Sequence, residues 1–514
     1  MSGAYGGVAV AAVALATVLV GALGLRVSRT TDDFYVASRT VRPGLNAAAI
    51  SGEYLSAASF LGIAGLVLAH GADMLWYPVG YTAGYLVLLV LVAAPLRRSG
   101  AYTLPDFAQD RLESVTVRRI AAVLVVGIGW LYLLPQLQGA GLTLRTATGA
   151  PRWAGGAVVS VVVAADVAAG GMRSITLVQA FQYWLKLTAL LVPVVFLLLV
   201  WHGDGSPGGP AAVHATVTGG GTGPHPLYAT YGLILATFLG AMGLPHVVVR
   251  FYTSPHGRAA RRTTLVVLVL VGAFYLLPPL YGALARVYAP DLAATGDPDA
   301  AVLVLPERMI GGTGGGLLGA LLVGGAFAAF LSTSCGLTVS TAGVLAQDVL
   351  PSVGVRSFRW ATLLAVAAPA ALTLSAAGLP VADTVGLAFA VAASSFCPLL
   401  LLGIWWRGLT PPGAAAGMLA GGGLALGAVA ATIAGWPRHG WPQALMAWPA
   451  VWSVPVGFVT MIAVSLATRG AIPPGTTAAM HRLHRPEPVP PTPRDPAGVP
   501  RAARVPRPWR GAGR

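Results

Sequence analysis

The chain is written as long apolar runs separated by short joints that are either basic or rich in glycine and proline. About 20 apolar residues suffice for a helix to cross roughly 30 Å of hydrocarbon. On that criterion the sequence predicts thirteen spans: 4–25, 44–69, 73–96, 119–144, 153–171, 175–201, 227–250, 264–288, 315–346, 357–378, 382–406, 412–435 and 446–468. An odd number of spans places the two ends of the chain on opposite sides. No Lys or Arg precedes the first run, so it is expected to stay as a span and not to act as a signal peptide.

Three runs break the apolar pattern. The ninth carries Ser332, Thr333, Ser334, Thr338, Ser340 and Thr341. Ala329, Ser332 and Thr333 stand at i, i+3 and i+4, so one helix face presents a carbonyl and two hydroxyls. Hard cations take oxygen ligands. The same residues also suit close helix packing and back-bonding to the preceding turn, and spacing alone leaves both readings open. The second run, GLNAAAISGEYLSAASFLGIAGLVLAHG, holds Glu53 near its middle. Ionisable groups at membrane depth mark a pathway, a site or a structural pair. Ile50–Glu53 is expected to unwind there, and Glu53 either meets substrate or pairs with Lys186. The seventh run is weakened by Gly240, Gly243 and Pro245. His246 follows and reads as a satisfied polar residue at the membrane edge.

Composition agrees with a membrane protein. Of 514 residues, 56% are hydrophobic and 10% charged, against about 25% charged in soluble proteins. Two cysteines, Cys335 and Cys397, both lie in apolar runs, which leaves no disulfide framework. The net charge of +15 comes almost wholly from arginine, since Lys186 is the one lysine. Arg145, Arg152, Arg286, Arg308 and Arg438 fall after even-numbered spans; the other arginines fall after odd-numbered ones. By the positive-inside rule this predicts an outside N-terminus and a cytoplasmic C-terminus. The charge is therefore topology, and no nucleic-acid partner is expected; the lipid bilayer is the expected surroundings.

The outer joints 202–226 and 289–314 are Gly/Pro/Asp-rich and expected to be flexible turns. Residues 1–469 are expected to form one transmembrane domain. The Pro/Arg-rich stretch 470–514 is expected to be a disordered cytoplasmic tail. The chain contains no phosphate-binding G-x-x-x-x-G-K-[ST], no G-x-S-x-G and no H-E-x-x-H. ATP-driven pumping and membrane hydrolysis are disfavoured, and no cofactor or protein partner is implied.

The segments DFYVASRTVRPGLNAAAISGEYLSAASFLGIAG, TLPDFAQDRL, GGMRSITLVQAFQYWLK, GLPHVVVRFYTSP and AFLSTSCGLTVSTAGVLAQDVL together resemble the sodium:solute symporter family. The SAASFLG and GLPH…RF versions resemble its cation/acetate, or monocarboxylate, branch. The resemblance implies a leucine-transporter-like fold, all α, with two inverted five-helix repeats at spans 2–6 and 7–11. It implies Na⁺-coupled uptake of a small solute, with acetate or a related acid first and proline as the alternative. Motif for motif, the family's sodium ligands fall on Gly52, Leu55, Ala329, Ser332 and Thr333. Substrate contacts are expected at Glu53, Ser56, Ser59, Gly240 and Gly243. One departure is Glu53, which stands where the acetate branch commonly has aspartate.

Overall fold

The computed structural model describes residues 3–25, 37, 40–208, 225–350, 354–375 and 381–485. Among the described residues all regular structure is helical. Helix lies in each of the thirteen predicted spans, several of them split by kinks. Among the described residues ten helices are long and apolar enough to cross a membrane, Arg152–Gly203 covering both span 5 and span 6. Span 1 is α1 (Gly3–Leu25). Span 2 is α2 (Pro43–Tyr54), then a π-turn at Ala58–Gly62 and α3 (Ile63–His70). Span 3 begins as α4 (Trp76–Val87). After the short α5 (Leu104–Leu112), span 4 is α6 (Val115–Thr148). Spans 5 and 6 form one element, α7 (Arg152–Gly203), folded back at Gly171, whose φ of 57° and ψ of −159° suit a residue without Cβ. The fold-back falls at the joint between the fifth and sixth predicted spans.

Span 7 is broken into α8 (Pro226–Gly243) and α9 (Pro245–Tyr252). Pro245 cannot donate to the preceding turn, and Leu244 is extended at ψ 118°. Span 8 contains α10 (Gly257–Tyr275) and α11 (Pro278–Tyr288). Span 9 is α12 (Gly312–Val344), and spans 10 and 11 are α13 (Val355–Ser375) and α14 (Val381–Trp405). Span 12 starts at α15 (Pro411–Gly417), and span 13 is α16 (Ala450–Ala467). The core is a bundle in which α7 packs along α12, α2 and α1, while α8 packs along α14 and α4.

Two segments differ from expectation. The outer joint 289–314 is ordered as short helices, Asp291–Thr295 and Ala301–Met309, because Leu292, Ala301, Val302, Leu303 and Leu305 are buried. Asp299 accepts from the Val381 backbone N–H at 3.2 Å, and burial pushes its carboxyl up to about 6. The first part of 470–514 is also structured. Helix α17 (Thr476–His484) buries Ala479, Met480 and Leu483, and Arg98 donates to the Leu483 carbonyl at 3.1 Å. Amphipathic spacing of these three residues outweighs the polar composition of the stretch. Residues 486–514 and most of 202–226 lie outside the described residues. Thr103 and Asp106 close a capping box on α5, and Arg118 bridges Asp106 (2.9 Å) and Asp348.

Candidate cation and substrate site

The helix of α2 continues through Ile50–Glu53 and breaks two residues later than expected, at Leu55 (ψ 86°) and Ser56. A break of this kind orphans backbone groups on both sides, and four of them here find partners from other elements. In an unbroken helix the Ala57 N–H would bond the Glu53 carbonyl. Instead, Ala57 donates to the Gln136 side-chain oxygen at 2.9 Å, while Thr333 Oγ1 donates to the Glu53 carbonyl at 2.6 Å. The Gly52 carbonyl accepts from Ser332 on α12, and the Gly52 and Leu55 carbonyls both accept from Lys186 on α7.

The five residues predicted as sodium ligands are brought together, all of them buried. The centre between them is filled by a side chain. Lys186, fully buried on the second half of α7, donates from Nζ to the Gly52 carbonyl, to the Leu55 carbonyl at 2.7 Å and to Ser332 Oγ at 2.9 Å. Ser332 Oγ lies 2.6 Å from the Gly52 carbonyl and 3.1 Å from that of Ala329, and its one proton serves these two. An ammonium thus lies among the groups expected to hold Na⁺. Three of the five residues bind it, and Thr333 spends its proton on the Glu53 carbonyl. Two unit positive charges about 3 Å apart repel by about 5 kcal/mol even at an effective dielectric of about 20, a cost that any cation placed beside Lys186 would meet.

Glu53 pairs with neither Lys186 nor a free pathway. Its Oε2 accepts from Arg250 Nε at 2.5 Å, with both side chains buried. Arg250 also reaches Thr176 Oγ1 at 2.9 Å and Gln179 Oε1, and Gln179 Nε2 in turn donates to the Ser332 carbonyl at 2.6 Å. One planar guanidinium thus ties α9 to α2 and α7. Gly336 lets α12 close over this pair, since a Cβ there would fall 2.0 Å from Glu53 Oε1. The charge pattern had grouped Arg250 with the cytoplasmic arginines. Its place at a span end hid it, and only the GLPH…RF motif signalled more.

The substrate residues divide. Ser56 and Ser59 are buried beside the break, and Ser59 Oγ lies 2.9 Å from Tyr275 Oη. Glu53 is withdrawn into its ion pair. Gly240 and Gly243 serve packing: a Cβ on them would meet the Phe389 and Ala392 carbonyls of α14 at 2.5 and 2.3 Å. The sequence reading missed the aromatic shell. Tyr54, Tyr81, Tyr132 and Tyr275 surround the break, linked through Phe389 at centroid separations of 4.9 Å to Tyr81 and 5.8 Å to Tyr132. His246 faces Tyr132 at 5.3 Å, deep in the protein and not at its edge. Both His246 ring nitrogens and the Tyr81 and Tyr85 hydroxyls are buried without a hydrogen-bond partner among the described residues. Buried polar groups left unpaired cost about 1–3 kcal/mol each. An apolar shell with unpaired donors is what a small polar solute requires.

A broken-helix bundle with a mid-membrane polar centre defines a secondary transporter, and comparison with known proteins makes the class specific. The family model of the sodium:solute symporter family matches residues 34–421. The chain belongs to the sodium:solute symporter family. It is 33% identical over 439 residues to a monocarboxylic acid transporter of Corynebacterium glutamicum, covering 77% of this chain and 78% of that protein. It is 31% identical over 465 residues to the uncharacterized symporter YwcA of Bacillus subtilis, covering 86% and 90%. Among solved structures, it superposes on a Na⁺-coupled sialic acid symporter with a TM-score of 0.69 at 15% identity, covering 89% of this chain and 98% of that one. The fold is leucine-transporter-like, and the family is one of transporters, not enzymes.

Proposed function

We propose that this protein carries a short monocarboxylate, with acetate as the first candidate, into the cell by cation-coupled alternating access. The observation that carries the reading is the shell at the α2 break, where Tyr81, Tyr85 and His246 hold unpaired polar atoms among packed aromatic rings. That chemistry suits a solute with one polar end and a short apolar tail. The likeness to a monocarboxylic acid transporter supports the same substrate class. Opposing membrane potential sets the coupling: an anion entering a negative-inside cell works against about 2.3 kcal/mol per 100 mV, so at least one cation must accompany each carboxylate. The arginine distribution favours a bacterial inner-membrane orientation with the C-terminus, and hence α17, in the cytoplasm.

Purified protein in liposomes tests this with labelled acetate, propionate, pyruvate and proline under imposed inward cation gradients. The expected result is accumulation of the acids well above passive controls, with proline at background. Accumulation of proline and not of any acid would contradict the substrate assignment.

A further inference from the structure

Lys186 is placed where the resemblance puts a coupling ion, and four observations converge on its role. Its ammonium has three donors, and all three are used on predicted sodium ligands: the Gly52 and Leu55 carbonyls and Ser332 Oγ. It does not rely on Glu53 for a salt bridge, because that carboxylate is held by Arg250. Carbonyl dipoles and a hydroxyl hold the charge, as they would a bare cation.

The choice of residue is itself informative. This chain has one lysine among 32 basic residues. Everywhere else a positive charge is supplied by arginine, whose planar fork cannot enter a compact oxygen seat, whereas an ammonium is a compact point charge. Topology completes the case. Lys186 and the α2 carbonyls belong to the first five-span repeat, and Ser332 belongs to the second. The ammonium therefore bridges the two repeats at their mid-membrane contact.

We infer that Lys186 is a built-in cation that replaces Na⁺ in this seat, so the transporter binds no Na⁺ at Gly52, Leu55 and Ser332 and needs none there to carry substrate. Only the transport arm of the test rests on the proposed monocarboxylate activity. The cation that accompanies the acid is then bound elsewhere or enters as the acid's own proton.

The test measures ²²Na⁺ binding and thermal unfolding of the purified full chain in NaCl and in choline chloride. Wild type is expected to bind no Na⁺ at this seat and to unfold at the same temperature in both salts. Lys186→Ala, with the seat emptied, is expected to unfold lower in choline and to recover with rising Na⁺. Lys186→Met retains the apolar stem without the charge and serves if the alanine variant does not fold. Saturable wild-type Na⁺ binding that Ser332→Ala abolishes overturns the inference. Binding that survives Ser332→Ala lies off this seat and agrees with it. Acetate exchange by wild type is expected to be equal in the two salts, and a strict Na⁺ requirement lost with Ser332→Ala overturns the inference. If no acid is exchanged in either salt, the substrate reading fails while ²²Na⁺ binding still decides the seat.

Discussion

The Glu53–Arg250 pair is closed off from water, so its charges have only each other and the Thr176 and Gln179 side chains. Removing one member of a buried pair leaves the other uncompensated, at about 3–5 kcal/mol. Glu53→Ala is expected to lower stability by that amount, read as a large fall in unfolding temperature in detergent; an unchanged melt would mean that Arg250 does not depend on Glu53. At this scale the sequence was partly legible. The i, i+3, i+4 set on α12 and the carbonyls of Gly52 and Leu55 do converge. Spacing along two helices identifies a facing pair but not what a third helix inserts between them. Lys186 was visible as a buried lysine, and its natural partner by charge was Glu53. The structure gives Glu53 to Arg250 and Lys186 to oxygens, a choice made by tertiary packing.

Among elements, the two broken spans carry the function. The α2 break stands because Gln136 on α6 and Thr333 on α12 take over the backbone groups that helix formation would have used. Replacing Gln136 with leucine leaves the Ala57 N–H unpaired, a cost of about 1–3 kcal/mol. Gln136→Leu is expected to retain the fold while raising the substrate concentration for half-maximal uptake several-fold. Unaltered uptake kinetics would show that the break is held without it. The glycines and serines made a break readable from the sequence, yet its position was misplaced by two residues. Gly52 tolerates helix as well as turn, and the partners that settle the matter lie 79 and 280 residues away. Gly240 and Gly243 were read as weakening α8 for chemistry. Their near contacts with α14 carbonyls make them seam residues, a distinction that helix periodicity does not carry.

For the whole molecule, the membrane-spanning helices and the all-α class were legible because span length is fixed by bilayer thickness and little else. The ends of the membrane domain were less so. Helix α17 docks on the bundle through Met480 and Leu483, and Glu113 accepts from the Gly475 N–H at 3.0 Å. Three buried residues in a polar stretch give too weak a pattern to read beforehand. Truncation after Arg485 is expected to leave uptake and expression at wild-type levels, whereas truncation after Arg469 uncovers the α17 contact and lowers the amount of folded protein. Equal yields from the two truncations would remove any structural role for α17.

The central claim is that the site at the α2 break exchanges a short carboxylate between the two sides of the membrane. Counterflow tests it without assuming any coupling ion. Proteoliposomes loaded with millimolar acetate are diluted into trace labelled acetate with the same buffer, sodium included, on both sides, so that there is no ion gradient. A transient accumulation of label that unlabelled propionate abolishes and proline leaves intact is the predicted result. Absence of any overshoot from protein that is folded and inserted would contradict the account.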